Sequence, residues 1–159
     1  MGDLSAHFST FEFACPCCAA CDLDPGLVLM LEKIRARLGG AIMHITRGGG
    51  YRCAEFNRRI RTCVVKSIAG HKHGDFHGLA CPICGGAGEQ RSARHSRHMM
   101  GTEADVVVDG VSPDAVADMA ELLGVRNVGR YNFFTHLGIG GKPVGLARWD
   151  KRTKRGVTQ

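Results

Sequence analysis

The sequence predicts a single small α+β domain in which helices pack on an antiparallel sheet. Its 159 residues are the size of one ordinary domain, and its 44% hydrophobic content can fill one core. The predicted elements run in the order helix, strand, insertion, strand, helix, strand, which supplies too few parallel crossover units for a doubly wound sheet. We assign residues 1–150 to the domain, 63–94 to a cysteine- and histidine-rich insertion within it, and 151–159 to a basic tail.

The first helix is predicted to begin after Asp24, because that residue is a favourable N-cap and Pro25 suits the first helical position. Gly39 and Gly40 are expected to end it. Its apolar face is formed by residues at steps of three and four, namely Leu27, Met30, Leu31, Ile34 and Leu38. This pattern predicts a helix with one face packed on the core.

Short strands and two further helices complete the pattern. The strands are predicted over residues 41–46, 104–109 and 131–139. A second clear helix begins after Ser112, which is followed by Pro113, and ends at Gly124. A short helix fits residues 54–60. Residues 63–94 show little periodicity and are too long to lie structureless within a compact domain, so we expect a metal ion to hold them.

The net charge of +6 suits an anionic partner, either nucleic acid or a surface such as a bacterial envelope. The basic clusters have no interleaved aromatic residues of the kind that stack on single-stranded nucleic acid, so no nucleic-acid partner is expected. The sequence contains no apolar run of about eighteen residues, so insertion into a membrane is not expected. Residues 1–10 are polar and lack the apolar core of a secretory signal, so synthesis in the cytoplasm without a signal peptide is expected.

Residues 96–105 carry a candidate metal site. His98 and Asp105 lie seven positions apart, Gly101 between them permits a turn, and Asp105 opens a predicted strand. His136 on the last predicted strand supplies a third ligand if the two strands are neighbours. Imidazole nitrogen and carboxylate oxygen are zinc donors, and three protein ligands leave a fourth position for water, as hydrolysis requires.

Several motifs, in the same order along the chain, resemble one enzyme family. Residues 96–105, SRHMMGTEAD, match the pattern SxHxxGxAxD except at Glu103, where the pattern has alanine. This is the signature of the zinc D-Ala-D-Ala carboxypeptidases, a family that includes phage L-alanyl-D-glutamate endopeptidases. Residues 49–57 resemble its SGYRxxxxN element, and residues 129–136 resemble its GxY…FxH ending. The resemblance covers most of the chain outside 63–94 and implies a hedgehog/DD-peptidase fold.

The resemblance implies that His98, Asp105 and His136 bind a catalytic zinc ion, which would polarise the scissile carbonyl and lower the pKa of the attacking water. The implied activity is a metallopeptidase that cleaves peptidoglycan stem peptides, as a D,D-carboxypeptidase or an L,D-endopeptidase. It would act on the cell wall after release, or within a virion beside phage structural proteins.

The resemblance also implies roles for residues around the metal. Arg52 would stabilise the developing oxyanion or hold a substrate carbonyl. Ser96 would help to bind the substrate, and Tyr51 and Tyr131 would line the substrate site. Glu103 is predicted as a catalytic residue together with Arg52 and Ser96.

The general base departs from the family pattern. Some members carry Asp or Glu three residues before the last histidine ligand, where this chain has Phe133, and phage-type relatives often carry Asp two residues after it, where this chain has Gly138. Glu103, His95 and Asp150 are candidates to replace that carboxylate. Loss of a base costs about 10²–10⁴-fold in rate. The alternative function is therefore an inactive zinc-binding module of a virion or assembly.

The insertion carries a second candidate metal site. Cys81 and Cys84, followed by Gly85 and Gly86, have the form of a zinc knuckle. The preferred ligand set for a structural zinc is Cys63, His77, Cys81 and Cys84, with His71 or His73 as alternatives to His77. Such a closed site would replace the missing hydrophobic core of the insertion. A zinc-finger nucleic-acid binder is the least favoured function, since no recognition helix adjoins the knuckle.

Four cysteines near the N-terminus, Cys15, Cys17, Cys18 and Cys21, offer a third candidate site. Cys18 and Cys21 have knuckle spacing, and Cys53 could join them in space, although adjacent Cys17 and Cys18 do not easily bind one ion together. The alternative reading is that these are reduced, buried small side chains or form adventitious disulfides.

Overall fold

The computed structural model describes residues 2–63, 75–77, 88–90, 95–140 and 147–152, with backbone alone for 61–63, 75–77 and 88–90. The predicted α+β class is confirmed. The helices are α1 (Thr10–Phe13), α2 (Pro25–Arg37), α3 (Ala54–Arg58) and α4 (Pro113–Leu122), with a 3-10 turn at Arg97–Met100. The strands are β1 (Met43–Ile45), β2 (Ile60–Cys63), β3 (Asp75–His77), β4 (Gly88–Gln90), β5 (Glu103–Val108), β6 (Asn127–Arg130), β7 (Thr135–Gly138) and β8 (Ala147–Asp150). None of these helices is long and apolar enough to cross a membrane.

Five strands form the main sheet in the order β1-β5-β7-β6-β8, and a separate three-stranded sheet has the order β3-β2-β4. Neighbours in the main sheet are antiparallel except β6 and β8, which are parallel. The main sheet is therefore mixed, and the prediction of an antiparallel sheet was wrong in this respect. The difference arises because β8, which was not predicted, pairs with the outer edge of β6 and runs opposite to β7.

The two long predicted helices begin at their predicted caps. The Asp24 carboxylate accepts a hydrogen bond from the Gly26 N–H at 2.8 Å, and the Ser112 hydroxyl accepts one from the Ala115 N–H at 3.2 Å. Both bonds satisfy amide groups that a helix N-terminus otherwise leaves unpaired. Gly39, just after α2, adopts a φ of +77°, a left-handed conformation that favours glycine.

Other predicted boundaries differ from the structure. The strand predicted over 131–139 begins only at Thr135, and the chain before it turns back so that β6 and β7 pair as neighbours. The short helix predicted over 54–60 ends at Arg58, because Ile60 begins β2 and pairs with β3. The predicted insertion contributes β3 and β4, whose backbones pair with β2 on either side.

Alternation along β5 gives the main sheet two different faces. Ala104, Val106 and Val108 belong to the hydrophobic core, which also contains the inner residues of α2 and α4. Because successive side chains of a strand point to opposite faces, Glu103 and Asp105 lie on the other side. Both carboxylates are nonetheless buried, so this second face is covered and must hold charged groups that need partners.

The neighbouring strand β7 repeats this division. Leu137 is fully buried within the core, and the Thr135 hydroxyl donates a hydrogen bond to the Pro113 carbonyl of α4 at 2.7 Å. His136, between them, therefore points to the same face as the carboxylates of β5. The sheet thus brings three buried ionisable side chains to one surface, opposite the helices.

Candidate metal centre

The three ligands predicted for the catalytic zinc come together on the second face of the sheet. Donor atoms of His98, Asp105 and His136 all lie within 4.8 Å of one another, and the three residues are buried. Asp105 and His136 are directly opposite in the β5–β7 pair. His98 lies in the 3-10 turn before β5, and its ring is 5.1 Å from the ring of His136 in an edge-to-face arrangement.

Hydrogen bonding orients the His98 ring. Its Nδ1 is 3.0 Å from the Gly50 carbonyl oxygen. Since a carbonyl can only accept, Nδ1 must carry the proton, and Nε2 is left with a free lone pair. That Nε2 lies 3.6 Å from Oδ2 of Asp105. Burial lowers the pKa of His98 to about 4 despite the opposing effect of Asp105, so the ring is neutral at physiological pH, as a metal ligand must be.

His136 lies between two carboxylates. Its Nδ1 is 2.7 Å from Oδ1 of Asp105, and its Nε2 is 3.3 Å from Oε2 of Glu103. Nε2 is buried and makes no hydrogen bond to the described residues, although Glu103 is within ion-pair distance. Burial opposes the charged form, but the two carboxylates outweigh it and raise the pKa of His136 to about 9. A metal ion on Nδ1 would take over from a proton in balancing this negative charge.

Asp105 is held by the segment that contains Arg52. Nη2 of Arg52 donates to Oδ2 of Asp105 at 2.8 Å, and Nε of Arg52 donates to the Gly48 carbonyl. Burial raises the pKa of Asp105, but His136 and Arg52 hold it below its ordinary value. Arg52, predicted to contact substrate, therefore also orients a metal ligand, as hydrogen-bonded groups behind ligating carboxylates commonly do.

The donor set of this site is one that could hold a metal ion, and it is compatible with the predicted zinc. Two imidazole nitrogens and one carboxylate oxygen are a recurrent ligand set for hydrolytic zinc, and the fourth position is left for water or substrate. Nε2 of His98 and the carboxylate of Asp105 are both buried and already face one another. These two donor atoms could therefore bind an ion without rearrangement of the fold.

The chain matches no protein-family model, no curated protein and no solved structure in the comparisons made.

The structure distinguishes the three residues that could replace the general base. Glu103 is buried and lies beside His136. Asp150 lies at the exposed edge strand β8, where its carboxylate accepts hydrogen bonds from the side chain and backbone of Arg152. His95 is exposed and precedes the 3-10 turn. Of these candidates, only Glu103 is in contact with a ligand of the metal centre in the described part of the chain.

Glu103 occupies the position opposite Gly138. The two residues are directly paired in the β5–β7 register. A Cβ atom added at Gly138 would lie 2.7 Å from Cγ of Glu103, which is closer than two carbon atoms tolerate. The glycine therefore provides the space that the Glu103 side chain fills.

Aromatic side chains flank the metal centre on its β6–β8 side. His136, Gly129 and Trp149 lie in one cross-strand row, and the Trp149 ring reaches over Gly129 to within 4.9 Å of the His136 ring. A Cβ atom at Gly129 would lie 2.5 Å from the Trp149 ring, so this approach requires glycine. Trp149 was not predicted as a site residue, since β8 was not predicted. Its Nε1 donates to the Tyr131 hydroxyl at 3.1 Å.

The remaining predicted binding residues are Ser96, Tyr131 and Tyr51. Ser96 is partly exposed at the start of the 3-10 turn, and its hydroxyl makes no capping bond there. The Tyr131 ring stacks on Phe134 with 4.2 Å between centroids. Tyr51 is partly buried, and its N–H donates to the Phe13 carbonyl at 2.8 Å. Their contacts with substrate stay a prediction.

The predicted structural zinc site of the insertion lies outside the residues whose side chains are described. Cys81 and Cys84 are not described, and only the backbones of Cys63 and His77 are, in β2 and β3. That site therefore stays a prediction from the sequence.

Gly101 fixes the turn that carries His98. It adopts a φ of +63°, and an added Cβ would lie 1.9 Å from the Asp22 carbonyl oxygen. We expect Gly101→Ala to lower the free energy of unfolding by about 1–2 kcal/mol through backbone strain and by about 1–3 kcal/mol more through the clash. Gly124→Ala is the matched control, because Gly124 has a φ of +75° with nothing within 4 Å. Urea denaturation would measure both, and equal losses would contradict the clash.

Proposed function

We propose that the protein is a zinc-dependent peptidase that cleaves peptidoglycan stem peptides, as a D,D-carboxypeptidase or an L,D-endopeptidase. The observation that carries this proposal is the convergence of His98, Asp105 and His136 in one buried pocket with a further carboxylate, Glu103, beside them. The substrate class is supported by the order and spacing of the sequence motifs, which resemble those of enzymes that act on D-amino-acid peptides.

Hydrogen bonds from neighbouring groups orient the ligand residues. The Gly50 carbonyl fixes the proton on Nδ1 of His98, so that Nε2 faces Asp105. The Arg52 guanidinium holds one oxygen of Asp105, and His136 presents Nδ1 to the other. Zinc, when bound by these three side chains, would polarise the scissile carbonyl and lower the pKa of the attacking water.

Glu103 is proposed as the general base. A base must lie within hydrogen-bond reach of the proton it removes, directly or through one water. The Glu103 carboxylate is on the same face as Asp105, borders the metal ligands and is not itself one of them. Burial raises its pKa, but the contact with the positively charged His136 and the charge of Arg97 hold that pKa below its ordinary value, so the carboxylate is ionised and can accept a proton.

A second candidate function is a catalytically inactive zinc-binding module. One observation favours it: the turn before β7 presents Phe133 with 83% of its surface exposed, at a position where some relatives are expected to carry a carboxylate. An exposed aromatic ring offers the kind of side chain that is enriched at protein–protein interfaces. The buried carboxylate of Glu103 favours the enzyme instead, because it supplies the group that position 133 lacks.

Incubation of the purified chain with muropeptides, followed by mass spectrometry of the products, separates the two functions. Cleavage at a D-amino acid bond that stops when a chelator is added and returns with zinc is the result expected for the peptidase. The position of the cut then distinguishes the D,D-carboxypeptidase from the L,D-endopeptidase. No cleavage by a chain shown to contain zinc in this centre would overturn the enzymatic proposal and favour the binding module.

Loss of the Arg52 side chain is expected to weaken the metal centre. Arg52→Ala removes the donor to Asp105, and substitutions behind metal ligands typically cost about 10–100-fold in metal affinity or activity. Arg58→Ala is a matched control, since Arg58 is exposed and pairs with Glu55. Zinc affinity is measured by competition with a chromophoric chelator. Equal affinities of the two variants would contradict the role of Arg52 in orienting Asp105.

A further inference from the structure

We propose that Cys15, Cys17, Cys18 and Cys53 form a second metal site, in which four thiolates bind one structural zinc ion. This site is separate from the His98 centre and does not depend on the proposed peptidase activity. Three of its members come from one loop after α1, and the fourth immediately follows Arg52.

The sulfur atoms are arranged around a common point. All four Sγ atoms lie within 4.8 Å of one another; Cys17 and Cys53 are 3.2 Å apart, and Cys15 and Cys17 are 3.5 Å apart. In a tetrahedral site with zinc–sulfur bonds of about 2.3 Å, neighbouring sulfurs are about 3.8 Å apart. The two shortest separations are slightly below that value and the others do not exceed 4.8 Å, so a zinc ion fits among the four atoms with small shifts of side chains.

Burial and disulfide formation do not explain the cluster. Cysteine behaves as a small apolar side chain in a core, but Cys17 and Cys18 are exposed, so apolar burial gives their sulfurs no reason to converge. A disulfide joins two sulfurs at about 2.05 Å, and all four cysteines of the cluster are free in the structure. Convergence of four sulfurs on one point is what a tetrahedral thiolate site requires.

The backbone of the loop is shaped to bring its thiols together. The Cys15 N–H donates to the Ala20 carbonyl at 2.8 Å, and the Ala19 N–H donates to the Cys15 carbonyl at 2.9 Å. Ala19 adopts a φ of +55°, the left-handed region that costs a residue other than glycine about 1–2 kcal/mol. This closed loop brings the sulfurs of adjacent Cys17 and Cys18 together, although the sequence suggested that such neighbours do not easily bind one ion.

Backbone amides also approach the sulfur atoms. The Cys53 N–H donates to Sγ of Cys15, and the Phe56 N–H donates to Sγ of Cys53, each at 3.4 Å. Amide donors of this kind stabilise the negative charge of thiolate ligands and fix their orientation. Cys21, the fourth cysteine of the predicted N-terminal group, lies outside the cluster and packs against the hydrophobic core.

The site would join the loop after α1 to the segment that contains Gly50, Tyr51 and Arg52. The Tyr51 N–H donates to the Phe13 carbonyl at 2.8 Å, and a Cβ atom at Gly50 would lie 2.5 Å from Cα of Phe13. A zinc ion shared by the loop and Cys53 would hold this contact in place. Arg52, one residue before Cys53, would thereby be kept against Asp105.

The test uses the full chain in a background that removes the other two candidate sites, His98→Ala with Cys81→Ser and Cys84→Ser. We expect this background to retain one zinc ion per chain, measured by mass spectrometry under native conditions. Cys17→Ser should lose that ion, whereas Cys21→Ser, the matched control, should keep it. Cys17 is exposed, so its replacement leaves the hydrophobic core unchanged and the variant should fold.

Cobalt substitution provides a readout that needs no further cysteine variant. The background chain loaded with Co²⁺ should show intense thiolate-to-cobalt charge-transfer absorption, and zinc should displace it. A background chain that binds no metal under reducing conditions would overturn the proposal. So would equal zinc loss in Cys17→Ser and Cys21→Ser, or alkylation mapping that finds Cys17 and Cys53 joined as a disulfide in the chain isolated from cells.

Discussion

Replacement of His98 by alanine is expected to abolish cleavage of muropeptides and to remove one zinc ion per chain. Nδ1 of His98 is bonded to the Gly50 carbonyl, so Nε2 is the nitrogen whose lone pair faces Asp105. Two remaining ligands do not retain a hydrolytic zinc ion, which normally has three protein donors. The loss should therefore match that produced by a chelator, and added zinc should rescue the chelated wild-type protein but not the variant.

His44→Ala is the matched control for this loss. His44 is exposed on β1 and, like the site histidines, pairs with a carboxylate, that of Asp109 at 3.0 Å. It should keep full activity and full zinc content. Activity retained by the His98 variant, or lost equally in the His44 variant, would contradict the assignment of this centre as catalytic. Circular dichroism of both variants checks that the sheet is intact.

Replacement of Glu103 by glutamine is expected to lower kcat by about 10²–10⁴-fold, the usual contribution of a positioned general base. Zinc content should be unchanged, because Glu103 is not one of the three converging ligands. Glutamine keeps the size of the side chain and its position beside His136, but it cannot take up a proton at neutral pH. The variant thus separates proton transfer from orientation of His136.

The pairing of Glu103 with Gly138 offers a sharper version of this test. In the double variant Glu103→Ala with Gly138→Asp, the carboxylate moves across the β5–β7 pair to the directly opposite position. We expect the single variant Glu103→Ala to be inactive and the double variant to recover a measurable part of kcat. Full activity of Glu103→Gln would instead show that the carboxylate only orients His136.

The sequence alone determined the local features of this protein. The N-caps Asp24 and Ser112, each followed by apolar residues at helical spacing, predicted α2 and α4. Such prediction is possible because capping and helical periodicity depend on residues a few positions apart. The spacing of His98, Gly101 and Asp105 predicted a turn into a strand for the same reason, and the structure has that turn. His136 could be added only through the resemblance of the motifs to a known family.

Only the tertiary structure decided which distant residues meet. Register between strands depends on pairing across the whole sheet, so the sequence could not show that Glu103 faces Gly138 while Asp150 lies at an exposed edge. It could not place Trp149 over Gly129 either, because β8 is defined by its parallel pairing with β6 rather than by any local pattern. The same reason applies to Cys53, which closes the cysteine cluster from 35 residues beyond Cys18.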